Sequence, residues 1–92
     1  MRRFVYFDTA RADLLSIADY YGTIDPEVAD RILADIESTI AKLEDFPHRG
    51  RRIAGRELHR ILSRRYRFKI AYRVTEETIE IIGIFRFQNR EA

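Results

Sequence analysis

The apolar residues of this 92-residue chain change period once, at Pro47, and that switch limits the possible folds more than any other feature. Before it they recur at helical spacing: Ala10, Leu14, Ile17, Ala18 and Tyr21, then Val28, Ala29, Ile32, Leu33, Ile36, Ile40 and Leu43. After it they alternate, as in Phe68, Ile70, Tyr72 and Val74. A helix buries one apolar stripe and a half-covered sheet buries one face, so the two halves are complementary layers of one core.

Element ends are marked by local chemistry. Arg3–Phe7 is aromatic and β-branched and reads as a short strand. Asp8 or Thr9 offers an N-cap for the first helix, and Gly22 is expected to close it, since glycine tolerates the left-handed conformation past a helix end. Asp25-Pro26-Glu27 restarts the chain with a cap, a proline at the first helical position and an acid facing the helix dipole. The second helix ends near Phe46-Pro47, and the short link between the two makes them an antiparallel hairpin.

His48–Gly55 reads as a loop, Glu57–Leu62 as a strand and Ser63-Arg64-Arg65 as a bend. In Tyr66–Val74, Phe68, Ile70, Tyr72 and Val74 share one face and Arg67, Lys69, Ala71 and Arg73 the other. Thr75-Glu76-Glu77-Thr78 is a tight turn into Ile79–Phe87. That last run sets Ile79, Ile81, Phe85 and Phe87 against Ile82 and Ile84, the pattern of a central strand covered on both faces. The expectation is one α+β domain spanning residues 1–92, ordered β-α-α-β-β-β, with the helical hairpin on one face of a mainly antiparallel sheet. Leu14, Ile17, Ile32, Ile36, Ile40, Phe68, Ile70, Tyr72, Ile81 and Phe85 are the expected core.

Charge divides along the same line. Residues 1–48 hold five basic and ten acidic side chains, and residues 49–92 hold twelve basic and five acidic, so the overall +2 conceals a polarised molecule. Fifteen of the seventeen cations are arginine, whose planar fork suits phosphates and carboxylates better than the point charge of lysine. Between Arg49 and Arg73 ten basic residues accompany a single acid, Glu57. The alternation places Arg67, Lys69 and Arg73 on the sheet face away from the helices, with Arg60 and Arg86 beside them, as a basic concave surface backed by acidic helices. Such a face suits a nucleic acid or an acidic protein segment. As a solvated face alone, it would keep nine cations in the 21 residues Arg49–Lys69 without a counter-ligand.

Catalytic and metal chemistry find little support. There is no cysteine, which fits a reducing compartment, and two histidines without a paired helical spacing do not make a metal site. No glycine-rich phosphate loop, nucleophile elbow or dinucleotide fingerprint occurs, and no cofactor is expected. Each histidine on its own reads first as an ordinary surface or loop residue. Glu57 and His59, two apart on a strand, would share a face and could act as an acid–base pair. With 46% apolar and 35% charged residues, the chain is globular and not disordered. The N-terminal apolar stretch is too short for a signal peptide and no 18-residue apolar run occurs, so a soluble cytoplasmic protein without membrane contact is expected.

Taken in order, several segments resemble the ParE/RelE superfamily of bacterial toxins. They are Ala12-Asp13-Leu14-Leu15-Ser16-Ile17-Ala18-Asp19-Tyr20-Tyr21, the stripe from Ala29 to Leu43, Phe46-Pro47-His48-Arg49-Gly50-Arg51 and Glu57-Leu58. The strongest match is Arg65-Tyr66-Arg67-Phe68-Lys69-Ile70-Ala71-Tyr72-Arg73-Val74 followed by the strand Ile79–Phe85, and the likeness covers residues 4 to about 90. It implies a type II toxin–antitoxin module, with a cognate antitoxin whose C-terminal segment, often acidic, wraps and neutralises the toxin. Operator DNA would then be reached only through the antitoxin complex.

Within the superfamily, RelE-like members cut mRNA on the ribosome, whereas ParE-like members poison DNA gyrase and are not nucleases. RNA cleavage through the 2′-hydroxyl needs a base, an acid and cations together. Many nuclease members carry a His or Tyr after the last strand; here the chain reads Arg86-Phe87-Gln88-Asn89-Arg90, and arginine is no ordinary base at neutral pH. The resemblance therefore favours a ParE-like gyrase inhibitor that binds through Arg60, Arg65, Arg67, Lys69, Arg73, Arg86 and Arg90, with Arg51, Arg52 and Arg56 secondary. A RelE-like endoribonuclease using Glu57, His59, Tyr66 and Arg86 is the alternative, and a non-toxic binding module for an acidic partner is a third reading.

Overall fold

The computed structural model describes residues 2–53, 55 and 57–86. The chain runs β1 (Arg3–Tyr6), α1 (Asp8–Ile24), α2 (Pro26–Ala41), a 3-10 turn at Lys42–Glu44, β2 (Arg51–Arg52), β3 (His59–Leu62), β4 (Lys69–Val74) and β5 (Thr78–Phe85). The expected α+β order is present, with one strand more than expected: Arg51–Arg52 pairs antiparallel with β3, Arg51 opposite Arg60 and Arg52 opposite His59. A two-residue strand has no hydrophobic period, so its sequence carries no sign of it. The five strands lie in the order β1-β5-β4-β3-β2, with β1 parallel to β5 and the other pairs antiparallel.

The helical hairpin is tighter than its sequence suggests. α1 runs through Gly22 to Ile24, and Asp25 alone separates it from α2. The Asp25 N–H donates to the Tyr21 carbonyl at 2.8 Å, closing α1. Its side chain accepts the Glu27 N–H at 3.0 Å, opening α2 in front of Pro26. At the start of α1, neither Asp8 nor Thr9 caps; the N-cap is Phe7, without a side-chain bond.

Thr9 instead reaches the sheet. β1 stops pairing at Tyr6, and the edge of β5 beyond Ile81 would otherwise lack partners on that side. The Thr9 hydroxyl donates to the Ile82 carbonyl, and the Asp13 carboxylate accepts the Ile84 N–H at 2.9 Å. Residues four apart lie on one helix face, so two side chains of α1 continue the ladder that β1 abandons.

Ile17, Ile32, Ile36, Ile40 and Leu43 from the helical half pack against Phe68, Ile70, Tyr72, Ile79, Ile81 and Ile84 from the sheet. Ile36, Tyr72 and Ile81 are completely buried. Truncating such a residue to alanine costs roughly 2–5 kcal/mol. Leu14 packs at the margin of this cluster.

The reading of β5 as a strand covered twice is corrected by a β-bulge. Ala71 pairs with Gly83 but Tyr72 pairs with Ile81, which leaves Ile82 as an extra residue. The inserted residue reverses the facing of everything after it. Ile79, Ile81 and Ile84 therefore all meet the helices, opposite Val74, Tyr72 and Ile70, and Phe85 turns outward at 44% exposure. Phe85 is not core.

Candidate functional site

The sheet face away from the helices is built in rows by the strand register. Arg51, Arg60, Ala71 and Gly83 are successive partners across β2, β3, β4 and β5; Leu62, Lys69 and Phe85 form the next row; Arg73, Glu80 and Val5 form a third. Arg51, Arg60, Leu62 and Lys69 line a pocket of about 280 Å³ on this face. Like charges directly opposite on neighbouring strands destabilise a sheet, so the Arg51–Arg60 pair is a standing cost that an anion would relieve.

The cations of this face are not equivalent. Lys69 lines this pocket but is only 7% exposed. The Arg73 Nε donates to Glu80 Oε1 at 2.7 Å, and a second guanidinium nitrogen lies 2.6 Å from the same oxygen. This two-nitrogen pairing neutralises Arg73 within the sheet itself. Arg51 and Arg60 remain as the outward charges, with Leu62 and Phe85 as apolar neighbours.

Two expected members of the face, Arg86 and Arg67, and the expected binding residue Arg65 lie elsewhere. The Arg86 guanidinium stacks over the Tyr20 ring at 4.6 Å and lies 5.5 Å from the Tyr21 centroid, so it belongs to the α1 side. Arg67 precedes β4 with φ at 63°, a left-handed conformation that interrupts the alternation, and it lines a cleft with Thr39 and Lys42 near the end of α2. Arg65 is in the exposed β3–β4 turn with its guanidinium 5.7 Å from the Tyr66 centroid. Arg52 is exposed on β2 and pairs with Glu57 at 3.7 Å. Arg56 and Arg90 lie outside the described residues.

That β3–β4 turn is held from α2. The Asp35 carboxylate accepts the Tyr66 N–H at 2.8 Å and the Arg65 N–H at 3.0 Å. Burial by itself would push the Asp35 carboxyl up, but the bonds from Tyr66, the Ser63 hydroxyl and Arg65, with the Arg65 charge, outweigh it and hold it below its ordinary value. Nothing in the one-dimensional pattern singles out Asp35 for this task. Its partners are about thirty residues away.

The candidate acid–base residues do not join the cations of the open face. His59 pairs across the ladder with Tyr72, whose ring it stacks on at 5.3 Å and 23°, and therefore looks toward the helix side. His48 meets His59 edge-on at 5.6 Å. Among the described residues the buried His59 Nδ1 has no hydrogen-bond partner, and Glu57 is engaged with Arg52. Burial, then the charges of His48 and Arg52, push the His59 ring toward its neutral form, against a smaller opposing pull from Glu57. Beneath it the buried Tyr72 hydroxyl accepts the Gly50 N–H at 2.8 Å, and burial raises its pKa against that bond. Tyr66 is half-buried in the turn beside Arg65.

Among the described residues no helix is long and apolar enough to cross a membrane. A search of curated proteins gives no match. The structure is similar to a chain of the "Chromosomal ParDE TA system from P. aeruginosa", with a TM-score of 0.83 and 26% sequence identity over 96% of this chain and 98% of that one. The family model described as "ParE toxin of type II toxin-antitoxin system, parDE" matches residues 5–91. With its helical hairpin, five-stranded mixed sheet and near end-to-end family match, the chain belongs to the ParE toxin family of type II toxin–antitoxin systems.

Proposed function

We propose that this chain is a cytoplasmic toxin that inhibits DNA gyrase by binding, and that a cognate antitoxin neutralises it by laying an acidic C-terminal segment on the open sheet face. Family membership supports the toxin role. The observation that favours binding over cleavage is the division of labour across the sheet. Arg51, Arg60 and Lys69 gather on the open face, whereas His59 is stacked on Tyr72 on the other. Cleavage of RNA requires base, acid and cations to converge on one phosphate. Docking of an acidic segment requires only the cations and some apolar contact, which Leu62 and Phe85 provide.

The test is a paired assay of the purified chain in a gyrase supercoiling reaction and in a translation extract whose mRNA is mapped for cuts. Loss of supercoiling with intact mRNA is expected, and addition of the antitoxin restores supercoiling. Codon-linked cleavage with normal supercoiling would replace this reading by the ribosome-dependent nuclease. Inactivity in both would leave only the binding module.

A further inference from the structure

A second basic cleft lies outside the open face, between the end of α2 and the β3–β4 turn. Lys42, Arg49, Arg64 and Arg67 line it around Thr39 and Ser63, enclosing about 470 Å³, and among the described residues no acidic side chain takes part in its lining. Leu62 lines both this cleft and the pocket of the open face, so the end of β3 is the wall between them. The four cations come from three separate stretches of chain. Only the tertiary fold brings them together.

Their settings are firm. Thr39 is buried at the back of α2, and its hydroxyl donates to the Asp35 carbonyl at 2.9 Å while accepting the Arg64 N–H at 3.3 Å. Ser63 is fully buried and closes the turn from within: its N–H donates to the Phe68 carbonyl at 2.8 Å, its hydroxyl accepts the Phe68 N–H at 2.9 Å, and its carbonyl accepts the Arg67 N–H at 3.1 Å. Asp35 ties the far side of the same turn to α2. On the third wall the Arg49 N–H donates to the Phe46 carbonyl at 3.1 Å, and the next residue, Gly50, is fastened to Tyr72. Arg64 and Arg49 are thus mounted on braced backbone.

The ion pairs among the described residues use Arg31, Arg52 and Arg73, which leaves Lys42, Arg49 and Arg64 without an acid. Several like charges around one concavity repel one another unless an anion enters. We propose that this cleft is a binding site for phosphate groups. Guanidinium forks grip a tetrahedral oxyanion through paired N–H donors, and an ammonium adds a point charge. A phosphate-rich ligand also supplies the two or more negative charges that a cluster of this size can balance, whereas one carboxylate supplies one. The phosphates could arrive on a small polyphosphate or on a nucleic-acid backbone. The recognising chemistry is the same.

The experiment titrates the isotope-labelled full chain, by amide NMR, with inorganic pyrophosphate and separately with a single DNA strand of about 12 nucleotides. Both are followed in the wild type, in Arg49→Ala/Arg64→Ala, in Lys42→Ala and in Arg31→Ala, which changes an exposed α2 cation that lines neither pocket. Expected are amide shifts at Thr39, Lys42, Arg49 and Arg64, about tenfold weaker binding in the double variant, and wild-type binding in Arg31→Ala. For the strand, the salt dependence of affinity should fall by about one unit of slope for each cleft cation removed. Lys42→Ala, an exposed change at the end of α2, carries the test should the double variant not fold. Response to pyrophosphate alone assigns a small phosphate ligand, and response to the strand alone assigns a backbone. No shift at these residues, shifts confined to Arg51 and Arg60, or equal binding of an oligoglutamate peptide would overturn the proposal. None of these readouts depends on gyrase or on the antitoxin.

Discussion

Asp35 of α2 accepts the backbone N–H of Tyr66 at 2.8 Å, a bond that spans 31 residues and fixes the turn leading into β4. Asp35→Ala leaves the Arg65 and Tyr66 amides without their acceptor and is expected to lower stability by about 1–3 kcal/mol in urea denaturation. The pH dependence has a definite sign. A carboxyl held below its ordinary value of 3.8 contributes stability that is present above that value and lost as pH falls through the folded pKa. Asp35→Asn should therefore remove part of the acid-side decline below about pH 4 that the wild type shows.

Gly22 and Gly50 predict opposite responses to alanine. Gly22 lies inside α1 with nothing within 4 Å of where a Cβ would be, so Gly22→Ala should raise stability by about 0.5–1 kcal/mol. A Cβ on Gly50 would lie 2.7 Å from the Tyr72 hydroxyl and 2.8 Å from the Arg60 carbonyl. Gly50→Ala should lower the melting temperature, because a loop must move off both a buried tyrosine and the neighbouring strand. Equal effects of the two changes in thermal unfolding would refute this packing.

His59 predicts a second pH effect. Its folded pKa is depressed from 6.5, so its contribution is complete above that value and is lost as pH falls through it toward the folded pKa. His59→Phe keeps an aromatic ring against Tyr72 and removes the titration. Its stability should vary less than that of the wild type between about pH 7 and pH 5. A wild-type curve that already stays flat over this interval would contradict the assignment.

Charge reversal separates the docking face from the histidine pair. Arg60→Glu places an acid beside Arg51 and Lys69 and should weaken an acidic antitoxin peptide by about tenfold or more, mostly at low salt, in calorimetric titration. Arg73→Ala should have a smaller effect, because Glu80 already neutralises that side chain. The double change Glu57→Ala/His59→Ala should stay toxic in a growth assay. Lost toxicity with an intact fold would restore the nuclease reading.

The helical half was legible because its burial repeats with the helix period: Ile17, Ile32, Ile36 and Ile40 are all core. In β4, Ile70 and Tyr72 follow the strand period in the same way. The misplacements have local causes. Phe85 has the hydrophobicity of a core residue, but the extra residue at Ile82 turns it outward. Arg67 fits the alternation as a letter in the chain, but its left-handed backbone takes it out of the strand. Gly22 carries the composition of a helix end, yet Asp25 serves both helices three residues later.

The sequence by itself determined the order of elements apart from β2, the hairpin, most of the buried set and the opposition of acidic and basic halves, because each depends on neighbours within one turn or one strand. Only the tertiary structure decided which cations share a surface. Side-chain direction in a strand reverses at every residue, so one bulge reassigns the strand residues that follow it, and one left-handed residue leaves the strand altogether. Arg51, Arg60 and Lys69 meet on the open face through register, and Lys42, Arg49 and Arg64 meet in the cleft through the docking of a turn on a helix. Those groupings depend on contacts between residues distant in the chain, where periodicity carries no information.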